Sequence, residues 1–426
     1  MAMLLAASCG RGETRTRVRA GDVALVGATV VPMDREGVLR DHSVIVRGDR
    51  IVLVAPAQTI DTQGATVIDA RGKWIVPGLA DMHVHVWSDK DFGLYLLNGV
   101  TTIRNMWGTE QHLAWRTALA AGTMLGPTLL TTGPVLDGSP PIWPGSTIVD
   151  SADVARSVVK QQKAAGYDFI KVYTRLSLDA YNAIVAEAKT QAIPVVGHVP
   201  TSVGLDAALA SGQRSIEHLD GFLPVGGAPR VGASEVNQTV SAGTWNCPTL
   251  VLMERFSRLD DPAQLESLAG LEYIDVETRE RWNPANDFRL QSWTPKTFAR
   301  ARAQTITASN LVADLSRAGA HLILGTDTGN PYVIPGFAAH DELRLLVDAG
   351  LTPWQAIRTA TASAAEFMEK RGEFGVIAAG ARADLLVVDR DPLLAVDALA
   401  DPALVIVRGR VLTREQLLSN LKLDPR

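Results

Sequence analysis

From Asp22 to Pro77 apolar and polar positions alternate in short bursts, "VALVGATVVPMD", "DHSVIVRGDRIVLVAP" and "ATVIDARGKWIVPG", broken by turn residues such as Gly48 and Asp49. Period-two alternation predicts strands, and the Gly-Asp pair predicts a hairpin within an antiparallel sheet. The same texture returns in "GVIAAGARADLLVVDRDP" and "ALVIVRGRVLT" near the other end. Both terminal segments are therefore expected to build one small composite β-sandwich domain. Between them, continuous apolar runs alternate with helix-period stretches such as "SADVARSVVKQQKAAG" and "SLDAYNAIVAEAKTQ". That rhythm predicts α/β architecture with a parallel sheet. The strand candidates are "GLADMHVHVW", "GVTTIRNMW", "GPTLLTTGPVL", "YDFIKVYT", "IPVVGHVP", "RSIEHLDG", "GTWNCPTLVL" and "HLILGTDTG". Together they predict a (β/α)8 TIM barrel with its site at the C-terminal strand ends. A doubly wound open sheet fits less well, because no Gly-rich phosphate turn opens any of the helices. The expected divisions are a tail and tether over 1–21, β-domain over 22–77, barrel over 78–370, and β-domain with tail over 371–426.

Two connections exceed the usual length of about 2 to 6 residues for such units. The third carries "DGSPPIWPGSTIVD", and the seventh runs from about Met253 to Lys296 with "RWNPANDFRLQSWTP" inside it. Both are candidate lids or plain decorations.

The 426 residues are 46% hydrophobic and 20% charged, which suits a globular chain with a large core. A net charge of -5 without any basic stripe argues against a nucleic-acid partner. No apolar run approaches the roughly 18 residues of a membrane span. "MLLAASCG" ends a short apolar stretch at Cys9 and has the look of a bacterial lipoprotein leader, followed by the polar tether "GRGETRTRVRAGD". It is shorter than a full leader and lacks a positive start, so as a leader it would be a truncated one. The expectation is a lipid anchor through Cys9 and a cell-envelope, periplasmic location, with a plain polar terminus on a cytoplasmic protein as the alternative. Cys247 is the only other cysteine, which leaves no intramolecular disulfide framework to read.

Candidate chemistry lies where polar residues interrupt the apolar runs. His83 and His85 in "LADMHVHVW" share a strand face with Asp81, and two converging imidazoles can chelate a divalent metal. Lys171 in "FIKVY" falls in a run expected to be buried, where an unpaired ammonium costs several kcal/mol. Either it snorkels to the strand end, or its amine is neutral and captures carbon dioxide as a carbamate. "VVGHVP" ends on His198, "SIEHLD" on His218, and "LILGTDTG" on Asp327, which reads as a metal ligand or as a helix N-cap.

This ordered set, two His, Lys, His, His, Asp at the ends of strands one, four, five, six and eight, resembles the binuclear-metal members of the amidohydrolase superfamily. The flanks "VIDARGKWIVPGLADMHVH" and "GVIAAGARADLLVVDRDPL" extend the likeness over nearly the whole chain, and "FIKVY", "GHVP", "SIEHLDG" and "GTDTG" look most like the imidazolonepropionase-related branch with Xaa-Pro dipeptidases and ochratoxin-cleaving relatives. The resemblance implies one metal held by His83, His85 and Asp327, a second held by His198 and His218, and carboxylated Lys171 bridging them. Zinc is the expected metal. It further implies a shared hydroxide as nucleophile and Asp327 as the base that later protonates the leaving nitrogen. Imidazolonepropionases and deaminases generally work with one metal and no such lysine, so Lys171 argues against them.

Substrate contacts are less legible. Tyr173 shares Lys171's face and reads as a catalytic or substrate-binding hydroxyl, or as a core tyrosine. Arg104 in "TTIRNMW" is a candidate carboxylate clamp or a structural ion pair. His340 is a candidate closing residue or a helix-start histidine, and Trp143 and Trp293 on the long loops are candidate aromatic walls. The expected activity is hydrolysis of a C–N amide bond in a dipeptide, an N-acyl amino acid or an aromatic amide such as an ochratoxin-type compound. The alternatives are a metal-dependent lactonase or esterase on the same scaffold, and a non-enzymatic scaffold protein, against which the complete ligand set speaks. A homo-oligomer is expected from the resemblance.

Overall fold

The computed structural model describes residues 15–223 and 232–421. Three parallel strands, Leu79–Val84 (β1), Val100–Asn105 (β2) and Thr128–Thr131 (β3), form one sheet. A second parallel sheet contains Ile170–Val172 (β4), Val195–Gly197 (β5), Ser215–Glu217 (β6) and Trp245–Cys247 (β7), edged by the short strands Leu136–Asp137 and Thr147–Ile148. Every residue of β1 and β2 is buried, which is the burial of parallel strands covered on both faces. A bridge between Thr132 and Phe169 links the two sheets.

The run predicted as an eighth strand is not a regular one. It is nonetheless held on both sides: Ile323 N donates to Asn246 O in β7, while Met82 N donates to Leu324 O and His85 N to Thr328 O along β1 and its exit. Two features break its pairing. A Cβ on Gly325 would lie 2.4 Å from Cys247 Sγ and 2.7 Å from His83 Cβ, so the backbone passes where only glycine fits. Two residues on, Asp327 is left-handed at φ 61.

The helices form where caps and apolar spacing agree. Ser151 accepts from Val154 N at the start of Ala152–Ala165, which ends at left-handed Gly166, and Ser177 accepts from Ala180 N to open Leu178–Thr190. Their inner faces, Ala155, Val159, Tyr181 and Ile184, pack with Ile170, Val172 and Val195. Full burial of each large aliphatic side chain contributes about 1.5–3 kcal/mol, an upper estimate.

Both terminal segments enter one eight-stranded sheet. In spatial order its main path is Arg410–Thr413, Leu404–Val407, Leu385–Val388, Trp74–Pro77, Val23–Val30, Leu39–Arg47 and Arg50–Pro56, with Thr66–Asp69 pairing beside Val23–Val30. The Gly48–Asp49 hairpin is present, joining the Arg47–Arg50 pair. The sheet is mixed rather than antiparallel, because Val23–Val30 runs parallel to both Thr66–Asp69 and Trp74–Pro77. Instead of a second full sheet, a two-stranded ribbon of Thr16–Arg17 and Ile60–Asp61 accompanies it, with Val18 and Ile60 packed on Ala24 and Ile45.

The principal core crosses from this sheet, through Leu25, Ile75, Leu385 and Val405, to Leu79, Leu96, Val100 and Leu343 around the parallel strands. Arg382 Nη2 donates to Thr102 Oγ1 and Arg408 Nη2 to Gly126 O, adding polar ties across the same boundary. The seventh connection is a folded insert with a core of its own, Leu259, Leu265, Leu271, Trp282 and Leu290. Among the described residues no helix is long and apolar enough to cross a membrane. Cys9 and the leader-like segment lie outside the described residues.

Candidate active site

Strand ends bring the polar residues together. Asp81, His83 and His85 follow the period-two rule along β1 and its exit. His83 is fully buried, with Nδ1 2.8 Å from Glu217 Oε2 and Nε2 3.3 Å from Asp327 Oδ1. His85 Nε2 stands 2.9 Å from the same Asp327 oxygen, and His218 Nε2 is 3.9 Å from the other. One ligand atom each from His83, His218 and Asp327 all fall within 4.8 Å of one another. The His198 ring follows, its centroid 4.8 Å from that of His218. His218 at φ 59 and Asp327 at φ 61 both hold a left-handed backbone, a strain of roughly 1–3 kcal/mol each. His218 N donates to Cys247 O and Asp327 N to His83 O, which fixes both turns.

The electrostatics follow from burial. Desolvation lowers the pKa of His85, drives His198 well below the imidazole range with help from Lys171, and brings His218 to about 3 beside His83. These three rings are therefore neutral lone-pair donors, the form that binds metal. Burial would raise Glu217, but the Arg104 charge and His83 more than reverse it and hold this carboxyl well below its usual range.

An anionic Glu217 accepts the Nδ1 proton of His83, which leaves Nε2 with its lone pair aimed at Asp327. His83 Nε2 and Asp327 Oδ1 are both buried without a hydrogen-bond partner. Two lone-pair atoms so placed repel unless a cation lies between them, so the residues present fit a divalent metal.

Lys171, in the middle of β4, is 1% exposed. Burial lowers its pKa against the partial opposition of Glu217 and Asp327. It does not snorkel to solvent. A Cβ on Gly197 would meet Lys171 Cδ at 3.0 Å and Val172 O at 2.3 Å, so the neighbouring strand has to be bare there. Tyr173 packs over His198, ring centroids 4.0 Å apart, and its hydroxyl accepts from Trp143 Nε1 at 2.9 Å. Burial raises the phenol's pKa, so it is a neutral donor at ordinary pH.

Two expected substrate contacts are not available to a substrate. Arg104 is fully buried: Nε donates to Met82 O, Nη1 to Ser215 Oγ and Nη2 to Glu217, while Phe367 covers the guanidinium at 4.8 Å. The structural ion pair is the better description of it, since every polar edge is already satisfied. His340 is buried on the helix Phe337–Asp348 with Nε2 3.0 Å from Asn98 O, and burial lowers it to about 4. It packs against the helix Asp91–Leu97 rather than the histidine cluster. Trp293, by contrast, lines a cavity shared with His218.

The profile of the amidohydrolase family matches residues 74–412. The chain belongs to that family. Among solved structures this amidohydrolase resembles a bottromycin amidohydrolase, with a TM-score of 0.77 and 30% identity over 94% of this chain and 91% of that one. The ochratoxinase of Aspergillus niger is 24% identical over 88% of this chain and 83% of its own. An adenine deaminase of Chelativorans sp. (strain BNC1) is 30% identical over 45% of this chain, which spans only 34% of the deaminase.

Several residues of the amidohydrolase's site were missed from sequence. Glu217 sits beside His218 in "SIEHLD" and breaks an apolar run just as Lys171 does, yet the histidine drew the attention. Asp220, 3.7 Å from His198 Nε2, follows two residues later. Trp87 and Trp107 close the strand-end motifs "HVHVW" and "TTIRNMW", where the strand-end rule already pointed. Arg289, on the seventh connection, had no such signal.

Proposed function

We propose that the two sets of parallel strands, joined through residues 322–328, form one (β/α)8 barrel, and that its rim hydrolyses a C–N amide bond with the help of divalent metal. The family membership supports hydrolysis at carbon–nitrogen bonds. The observation that carries the metal reading is the buried pair of His83 Nε2 and Asp327 Oδ1, facing each other without hydrogen-bond partners. His83, His85, His198, His218, Asp327 and Lys171 as its carbamate would hold two ions, zinc by expectation. Bound there, such ions would lower the pKa of water and polarise the scissile carbonyl.

The chain's own residues do the rest. Asp327, anionic and largely buried, takes the proton from the attacking water and returns it to the leaving nitrogen. Glu217 keeps His83 in one tautomer. Tyr173, its oxygen steadied by Trp143, donates to the carbonyl oxygen or to a substrate carboxylate. The aromatic side chains at the mouth exclude bulk water and strengthen each of these interactions.

The test is a screen of the zinc-reconstituted protein against dipeptides, N-acyl amino acids, aryl amides, adenine and lactones. Amide turnover that disappears on chelation and returns with metal is expected; turnover of lactones or adenine alone would overturn the amide assignment. For the carbamate, Lys171→Ala should lose binuclear loading, with partial recovery of activity in acetate. Full metal content and full activity in that variant would remove Lys171 from the centre.

A further inference from the structure

Two apolar surfaces adjoin the histidine cluster, and the chemistry above gives neither of them a part of the substrate to hold. On one side lies a rim of aromatic side chains. Trp87 lies parallel to the His85 ring at 6.0 Å and 10°, yet 57% of it is exposed. Trp107 meets Trp87 at 5.9 Å edge-on, Trp143 meets Trp107 at 6.2 Å, and Phe288, 47% exposed, meets Trp143 at 5.1 Å. Alternating edge-to-face contacts hold these rings rigid while leaving indole and phenyl surface open.

On the other side is a cavity of about 430 Å3 that reaches His218 and Asp220 and is walled by Leu252, Met253, Phe256 and Trp293. The His83 ring is 5.6 Å from that of His85, which adjoins the rim, and 4.6 Å from that of His218, which adjoins the cavity. Arg289 separates them, with its guanidinium over Trp143 at 4.9 Å and over Phe256 at 4.5 Å. Its charge is already paired with Asp287, and Nη1 donates to Asn330, so it serves as a wall rather than as a carboxylate clamp.

We infer that the substrate is an amide carrying a flat aromatic ring system on one side of the scissile bond and a bulky apolar group on the other, one arm stacking on the Trp87–Trp107 rim and one filling the cavity beside His218. This rests on the amide-hydrolase reading and sharpens it. Exposed aromatic surface continuous with a reactive centre marks a binding surface. A small aliphatic dipeptide would leave both surfaces in water.

The test uses four amides with the zinc-reconstituted protein: N-(2-naphthoyl)phenylalanine, N-acetylphenylalanine, N-(2-naphthoyl)glycine and N-acetylglycine. Loss of each arm should lower kcat/KM by about tenfold or more. Trp87→Leu should erase the preference for the naphthoyl arm, and Thr305→Trp, which fills the cavity from another residue of its wall, the preference for the phenylalanine arm. Four rates within about twofold, or ratios untouched by both variants, would overturn the inference while leaving amide hydrolysis standing.

A binding measurement keeps the two questions apart should no amide be cleaved. By calorimetry, 2-naphthamide should bind about tenfold more tightly than cyclohexanecarboxamide, and this difference should vanish in Trp87→Leu. Equal affinities of the wild-type protein for the two would sink the aromatic platform.

Discussion

Removing the Arg104 guanidinium would leave the Glu217 carboxylate as an uncompensated anion among His83, Ser215 and Cys247, all of them buried. Breaking a buried pair from one side costs about 3–5 kcal/mol. Arg104→Met is therefore expected to lower the unfolding free energy by that amount in urea denaturation, and a loss below about 1 kcal/mol would show that Glu217 is stabilised from elsewhere. Glu217→Gln asks a different question, since it keeps the shape but no longer fixes the His83 tautomer. Metal affinity should fall about 10–100-fold in competition against a chelator, and unchanged affinity would contradict the orienting role.

At this scale the sequence pointed to several of the side chains that meet at the strand ends, through polar residues that break apolar runs. His83, His85, His198, His218, Lys171 and Asp327 all do so, because burying such groups needs a reason. It was a poor guide to Arg104, since a guanidinium in an apolar strand reads the same whether its partner is a substrate or a glutamate more than a hundred residues away.

Among the elements, the irregular segment next to β1 is the most sensitive. Gly325→Ala should push a methyl into His83 and Cys247, displacing a candidate ligand. A loss of metal affinity with retained helical circular dichroism is expected; wild-type affinity would mean that the segment yields without moving His83. The helix Leu250–Ser257 offers a pH test. Glu342, fully buried, accepts the backbone N–H groups of Leu250 and Val251 at 3.0 and 2.7 Å, and burial raises its pKa from 4.5 to about 8. The folded chain then keeps a proton that the unfolded chain releases. That contribution is complete below about pH 4.5 and is lost as pH rises to about 8. Glu342→Gln should flatten that part of the decline in unfolding midpoint between these limits. Identical pH profiles for variant and wild type would show that Glu342 does not titrate there.

Periodicity made helices such as Ala152–Ala165 and Leu178–Thr190 legible, and turn residues the Gly48 hairpin. What escaped was the mixed pairing of Val23–Val30 and the irregularity of residues 322–328. Which strands lie side by side depends on long-range contacts, and the passage at Gly325 depends on the positions of His83 and Cys247.

For the molecule as a whole, the shared core predicts one cooperative transition. Leu385 and Val405 from the end of the chain, Leu25 and Ile75 from its beginning, and Leu343 from a central helix belong to the same buried cluster. Calorimetry and tryptophan fluorescence should report coincident midpoints. Two separated transitions would mean that the terminal sheet and the parallel strands fold independently.

The seam in that sheet also sets an order of assembly. One edge of Trp74–Pro77 is covered early by Val23–Val30, but the other finds its neighbour only in Leu385–Val388, so roughly three hundred residues must leave the ribosome before that second edge is covered. Until then an apolar edge that includes Ile75 and Val76 stands open to passing chains. Biosynthesis, more than the finished structure, is where this protein is exposed to mispairing, and a tag or fusion that delays release of the last strands prolongs that interval.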